Sequence, residues 1–157
     1  MKVMDILKSN ERNLLTVDPD TLLSDCVIKM ADEDVGSLVV TDGNTLMGLL
    51  TFREVIIILA KRQKELRSGP TPPIAELKVK DVMNSKPIYT SPDVELNDLR
   101  ALMINQHQRY IPVLNQKKII GVLSFHDVAR AVFVESEQEN RMLKNYIGDW
   151  PLCGAQL

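Results

Sequence analysis

Residues 48–55 read GLLTFREV and residues 121–128 read GVLSFHDV. Each stretch is Gly, two apolar residues, a hydroxyl, Phe, a variable position, an acid and Val. Thr51 and Ser124 are 73 positions apart, and so are Glu54 and Asp127. A phrase written twice at a fixed interval marks an internal repeat, and a repeat has to be settled before any fold is assigned.

The repeat extends in both directions. Pro19 and Pro92 keep the 73-residue interval, and VMDIL at 3–7 resembles VKDVM at 79–83. Asp5 and Asp81 are 76 apart, so the loop that follows is three residues longer in the first half. After each Pro-Asp comes a helical pattern, with Leu23, Cys26, Val27 and Met30 on one face in the first half. Leu96, Leu99, Leu102 and Met103 do the same in the second. Ser24 and Asn97 or Asp98 suit cap or first-turn positions. Short β-rich runs follow at 37–41 (SLVVT) and 110–114 (YIPVL), each with a turn after it, at Asp42–Asn44 and Asn115–Lys118. A second run, LMGLL or IIGVL, leads into the phrase, and a helix then starts near Phe52 or Phe125.

Each half therefore reads strand, helix, strand, strand, helix, an α+β pattern. The expected units are 1–67 and 79–148, joined by a linker at 68–78 around SGPTPP and followed by an aperiodic tail at 149–157. A unit of roughly 75 residues buries a poor core alone. Packing the two sheets together as a pseudo-twofold pair solves that. The helix at 52–66 opens on Val55–Leu59, apolar on every side, and its outer face calls for a second copy, hence a homodimer. The last helix is expected from about Phe125 to about Ile147, with apolar faces on either side of a solvated ESEQEN.

Composition narrows the function. Hydrophobic residues are 45% and charged residues 25% of the 157, an ordinary globular mix. Lys plus Arg number 19 against 21 Asp plus Glu, a near-balance that argues against broad nucleic-acid binding. No apolar run reaches the roughly 20 residues of a membrane span, and the N-terminus lacks a signal-peptide apolar core. Cys26 and Cys153 are too few for a disulfide framework, and two His with two Cys give a metal site little to build on. The expected compartment is the cytosol. No G-x-S-x-G elbow, P-loop or HExxH occurs, so no enzyme is expected.

Two readings of the phrase are open. A hydroxyl followed three residues later by an acid at a helix start is a capping box, which Thr51 with Glu54 fits well. Ser124 with Asp127 fits it less well, because Asp is short for the return bond. The same geometry also suits a ribose phosphate: a helix N-terminus favours phosphate, and a carboxylate one turn in accepts hydrogen bonds from a diol. Two copies in identical strand-to-helix contexts strengthen that second reading.

The repeated G-h-h-[ST]-x-x-[DE], the VxDVM-like openings and the RYIPV strand resemble a tandem pair of CBS domains, a Bateman module, over nearly all of Val3–Ile147. ENRMLKNYI at 139–147 is similar to stand-alone bacterial CBS-pair proteins. The resemblance implies a regulatory module without catalysis, adenine nucleotide (AMP, ADP, ATP or a related adenosyl ligand) in clefts between the repeats, a homodimer, and a separate regulated protein. It implies no required cofactor and no metal. It places the ribose-binding acid at Asp127, the phosphate-facing hydroxyl at Ser124 and a basic phosphate contact at Arg109, beside Ile111 and Pro112 of the same strand. His126 is a phosphate contact or an exposed first-turn His, and Tyr89 a stacking face or a half-buried strand residue. In the first copy Thr16, Thr51, Arg53 and Glu54 remain usable. That copy departs from the pattern, since Glu54 is one methylene longer than Asp, and Gly36 and Val39 stand where Arg109 and Pro112 do. A CBS scaffold that keeps the fold without ligand is the alternative.

Overall fold

The structure, a computed structural model, describes residues 1–10, 13–66 and 76–148. The Pro/Gly stretch at 68–73 and the tail at 149–157 lie outside the described residues. In chain order the elements are α1 (Val3–Ser9), β1 (Thr16–Val17), α2 (Leu23–Asp32), β2 (Ser37–Asp42), β3 (Thr45–Thr51) and α3 (Phe52–Leu66). A 3-10 turn at Val79–Asp81 opens the second half, followed by α4 (Leu96–Asn105), β4 (Tyr110–Asn115), β5 (Lys118–Ser124) and α5 (Phe125–Gly148).

The repeat is reproduced in the hydrogen bonding. Ser37 pairs with Thr51 across the first hairpin, and Tyr110 with Ser124 across the second. Both hairpins carry an irregularity at the same place, between Val40 and Thr41 and between Val113 and Leu114. The second half differs at its first strand. β1 pairs parallel to β2, whereas its counterpart shrinks to a single bridge between Thr90 and Val113. Pro112 supplies the reason. The Val39 amide donates to the Leu15 carbonyl in the first half, and proline has no amide to make the equivalent bond.

Five strands join in the order β1-β2-β3-β5-β4. The only register pair between β3 and β5 is Thr45 with Lys118, a residue and its own repeat copy, as a local twofold axis requires. Val39 and Leu49 of the first hairpin are buried with Ile119 of the second, and Leu114 and Val122 pack on them. The two hairpins thus pack through a shared apolar layer.

The opening segments do not stay with their own repeats. Val3 and Ile6 of α1 are buried with Leu96, Leu99, Met103, Ile111 and Leu123 of the second half. Val79 is buried with Leu23, Cys26, Leu38 and Leu50 of the first, joined by Val82 and Met83. Bridges between Lys2 and Glu95 and between Leu22 and Lys78 fix this exchange symmetrically. The first amides of α2 and α4 are satisfied the same way: Leu23 N donates to the Leu77 carbonyl and Leu96 N to the Met1 carbonyl. Neither helix has a side-chain cap bond; Leu22 and Glu95 hold the N-cap positions, and Ser24, Asn97 and Asp98 are first-turn residues. A backbone carbonyl from the exchanged segment does part of the work of a cap.

The exchange accounts for the glycine that opens each phrase. A Cβ on Gly48 would lie 2.5 Å from Met83 Sδ and 2.8 Å from the Asn84 carbonyl, and one on Gly121 would lie 2.6 Å from Leu7 Cδ2. Each glycine is the seat of the other repeat's opening segment.

α3 and α5 begin where the sequence places them, and α5 runs to Gly148. Val55 and Ile58 of α3 pack on the first core, while Ile56 and Ile57 stay 63% and 55% exposed. α5 buries Val128 and Ala131, keeps Glu135 partly buried near the N-terminal amine, then leaves the body with residues 136–148 exposed. Burial pushes the Cys26 thiol up to about 11, so it remains a protonated apolar filler of the first core. Among the described residues no helix is long and apolar enough to cross a membrane.

Candidate functional site

Both phrases sit at strand-to-helix corners, where the α3 and α5 N-termini face the interval between the repeats. The Phe52 amide donates to the Gly36 carbonyl, and the Phe125 amide to the Arg109 carbonyl. α2 and α4 each end in a turn with a left-handed residue, Asp34 and His107, both at φ 52°. The Val35 and Gln108 amides reach back to the Met30 and Met103 carbonyls. These turns carry Gly36 and Arg109 to the two corners.

The capping chemistry of the two copies is the reverse of what side-chain length suggests. Asp127 accepts from the Ser124 amide at 2.8 Å, and Ser124 Oγ accepts from the Asp127 amide at 3.1 Å, a complete capping box. The short carboxylate reaches because the strand delivers Ser124 directly over the first turn of α5. In the first copy Glu54 Oε2 accepts from the Thr51 amide at 2.9 Å and also from the Thr51 hydroxyl. Thr51 Oγ1 then accepts from the Arg53 amide at 3.2 Å. Asp127→Ala is therefore expected to cost about 0.5–2 kcal/mol of stability, like other lost caps. Urea denaturation measures it, and no change in midpoint would contradict the box.

Three cavities lie around these corners. The wide cleft, about 560 Å³, brings together Thr51, Arg53, Glu54, Asn84 and Arg109. A groove of about 800 Å³ between Phe52 and Phe125 is lined by Arg109, Ser124 and His126. The narrow cavity, about 160 Å³, holds Ser124 and Asp127 with Leu15, Gly36 and Ser37.

Arg109 and Asp127 thus share none of these cavities; Arg109 lines one with the acid of the other repeat, Glu54. His126 faces the groove with Ser124 and Arg109. Ile111 is fully buried in the second core and Pro112 is buried beside it, so neither lines a cavity. Thr16 is exposed and Tyr89 is 60% exposed on the loop before Thr90, and these two also line none of the three. Tyr89 is accordingly not a half-buried strand residue.

Sequence reasoning missed Tyr110, which lines all three cavities. Its ring stands edge-on to Phe52, centroids 6.4 Å apart at 68°. A Cβ on Gly36 would come within 1.7 Å of the Tyr110 hydroxyl oxygen. The signal was present in the repeat: small Gly36 and Ser37 align with large Arg109 and Tyr110. Among the described residues no group of His, Cys, Asp and Glu could hold a metal ion.

Two interlocked strand-helix repeats, with hydroxyl-acid corners facing clefts between them, define a paired-repeat module. The chain belongs to the CBS domain family, whose profile matches twice, at residues 3–61 and 79–134. It is 29% identical over 157 residues to the mitochondrial CBS domain-containing protein CBSX3 of Arabidopsis thaliana, covering 92% of this chain and 71% of that one. The crystal structure of the CBS domain protein NE2398 superposes with a TM-score of 0.73 at 26% identity, covering 85% of this chain and 98% of the other. CBSX2 in complex with AMP gives a TM-score of 0.66 at 26% identity, over 80% and 92% of the two chains.

Proposed function

We propose that this chain is a regulatory, non-catalytic module acting in the cytosol. It takes an adenine nucleotide in the wide inter-repeat cleft and reports occupancy to a separate protein. The observation that carries this reading is the grouping of Arg53, Arg109, Thr51 and Glu54 on one cleft of about 560 Å³. That volume lies within the range of small-molecule sites, about 300–1,000 Å³. Two guanidinium groups at a helix N-terminus suit phosphate, and a carboxylate one turn in suits the ribose diol. The AMP complex of CBSX2 supports the choice of ligand class.

Thermal shift with AMP, ADP, ATP, NAD and S-adenosylmethionine tests the reading. A ligand at about 100 times its Kd adds about 2.7 kcal/mol of stability. Absence of any shift, with no heat of binding by calorimetry, would leave the scaffold reading in its place.

The module is further proposed to act as a homodimer. Ile56, Ile57, Ile104 and Phe133 are half or more exposed, Phe133 at 66%. Ile104 lines the groove whose walls are Phe52 and its repeat copy Phe125, and Ile56 and Ile57 line the adjoining cleft, so a second copy can meet this face across a twofold axis. Sedimentation at micromolar concentration should give twice 17.7 kDa, and Ile56→Glu should return it to the monomer mass. A wild-type monomer at that concentration would refute the dimer.

A further inference from the structure

The two nucleotide clefts are not equivalent, and one side chain separates them. Tyr110 is a wall of the wide cleft, of the groove and of the narrow cavity. Its hydroxyl occupies the space that a side chain at position 36 would fill, and Phe52 stands edge-on to its ring. With the ring in that seat, the narrow cavity has only about 160 Å³ around Ser124 and Asp127. Small-molecule pockets need about 300 Å³ or more. Tyr110 and Gly36 are both walls of that cavity, and a ring that left Gly36 would widen it. The adjoining free volumes are the groove and the wide cleft, which the ring already bounds.

We infer that Tyr110 makes the two clefts mutually exclusive, so that one chain holds one adenine nucleotide at a time; this rests on the nucleotide reading above. A nucleotide in the wide cleft holds the ring against Gly36 and keeps the Asp127 cavity shut. A nucleotide at Asp127 drives the ring into the space the first one needs. Such a coupling is reciprocal, so occupation of either cleft closes the other. The first repeat has no equivalent wedge, because the residue 73 positions before Tyr110 is Ser37. Tyr110→Ser copies that residue into the same strand position.

Calorimetry with AMP, beside a melting curve for each protein, gives the test. The wild type should take up one AMP per chain and Tyr110→Ser two, with Asp127→Ala in the Tyr110→Ser background returning the count to one. Gly36→Ala keeps the tyrosine but denies it its seat, and should weaken the single wild-type site about 5- to 150-fold. A fluorine label on the tyrosines, with the residue 110 signal assigned by its loss in Tyr110→Ser, should shift in Gly36→Ala. Two equivalents in the wild type, or one in both proteins with Gly36→Ala unchanged, would overturn the wedge while leaving nucleotide binding standing. No AMP uptake by any of these proteins would overturn both.

Discussion

Ile6→Ala is expected to destabilise the whole protein by about 2–5 kcal/mol, although it lies in a short helix near the start of the chain. Ile6 is 2% exposed, in a core with Leu99, Met103, Ile111 and Leu123 of the second repeat. Truncating it removes apolar contact and leaves a cavity that the surrounding strands fill only in part. For a chain of this length that corresponds to a drop in Tm of about 4–20 °C. The location of the damage is the sharper result. Amide exchange should accelerate across β4 and β5, whose residues form that core, before it accelerates across β2 and β3. Val79→Ala should show the mirror image, since Val79 is fully buried among first-repeat residues. Exchange loss confined to each mutated residue's own repeat would contradict the segment exchange.

Arg109→Ala is expected to weaken AMP binding about 10- to 150-fold, the loss of one charge-assisted interaction of about 1.5–3 kcal/mol. Stability should hardly change, because the structure gives Arg109 no ion pair among the described residues. Arg109→Lys should recover part of the affinity and not all of it, since an ammonium cannot present the two parallel donors of a guanidinium. Glu54→Ala should weaken binding in the same range while also costing stability, because its carboxylate holds the Thr51 amide at 2.9 Å. Asp127→Ala in the otherwise wild-type chain should cost stability alone. Calorimetric titration of the four variants separates these outcomes. Wild-type affinity in Arg109→Ala would exclude the wide cleft as the phosphate site.

Much of this was legible in the chain. The 73-residue interval, the alternation of apolar runs and the turn residues were enough to place α2 to α5 and both hairpins, because those elements form from local patterns. The start of α3 at Phe52 and of α5 at Phe125 follows from the hydroxyl-acid phrase itself, whose capping bonds span only three residues. The family resemblance likewise rested on contiguous residues. The shrunken first strand of the second repeat was not read from the sequence, which carried a strand there; Pro112, on the strand it would pair with, has no amide to give.

Three matters were decided only by tertiary structure. The first is which repeat each opening segment joins: VMDIL and VKDVM carry the same pattern, and either core presents the same apolar surface. In the exchanged arrangement Gly48 seats Met83 and Gly121 seats Leu7 of the opposite segments. The second is which acid shares a cavity with Arg109. Sequence proximity favours Asp127, but the twofold arrangement turns the β4 corner toward α3 and so toward Glu54. The third is the inequality of the two clefts, which depends on Tyr110 lying across Gly36, residues 74 positions apart. A local pattern specifies an element, whereas the volume of a cavity depends on every wall at once, and those walls come from both halves of the chain.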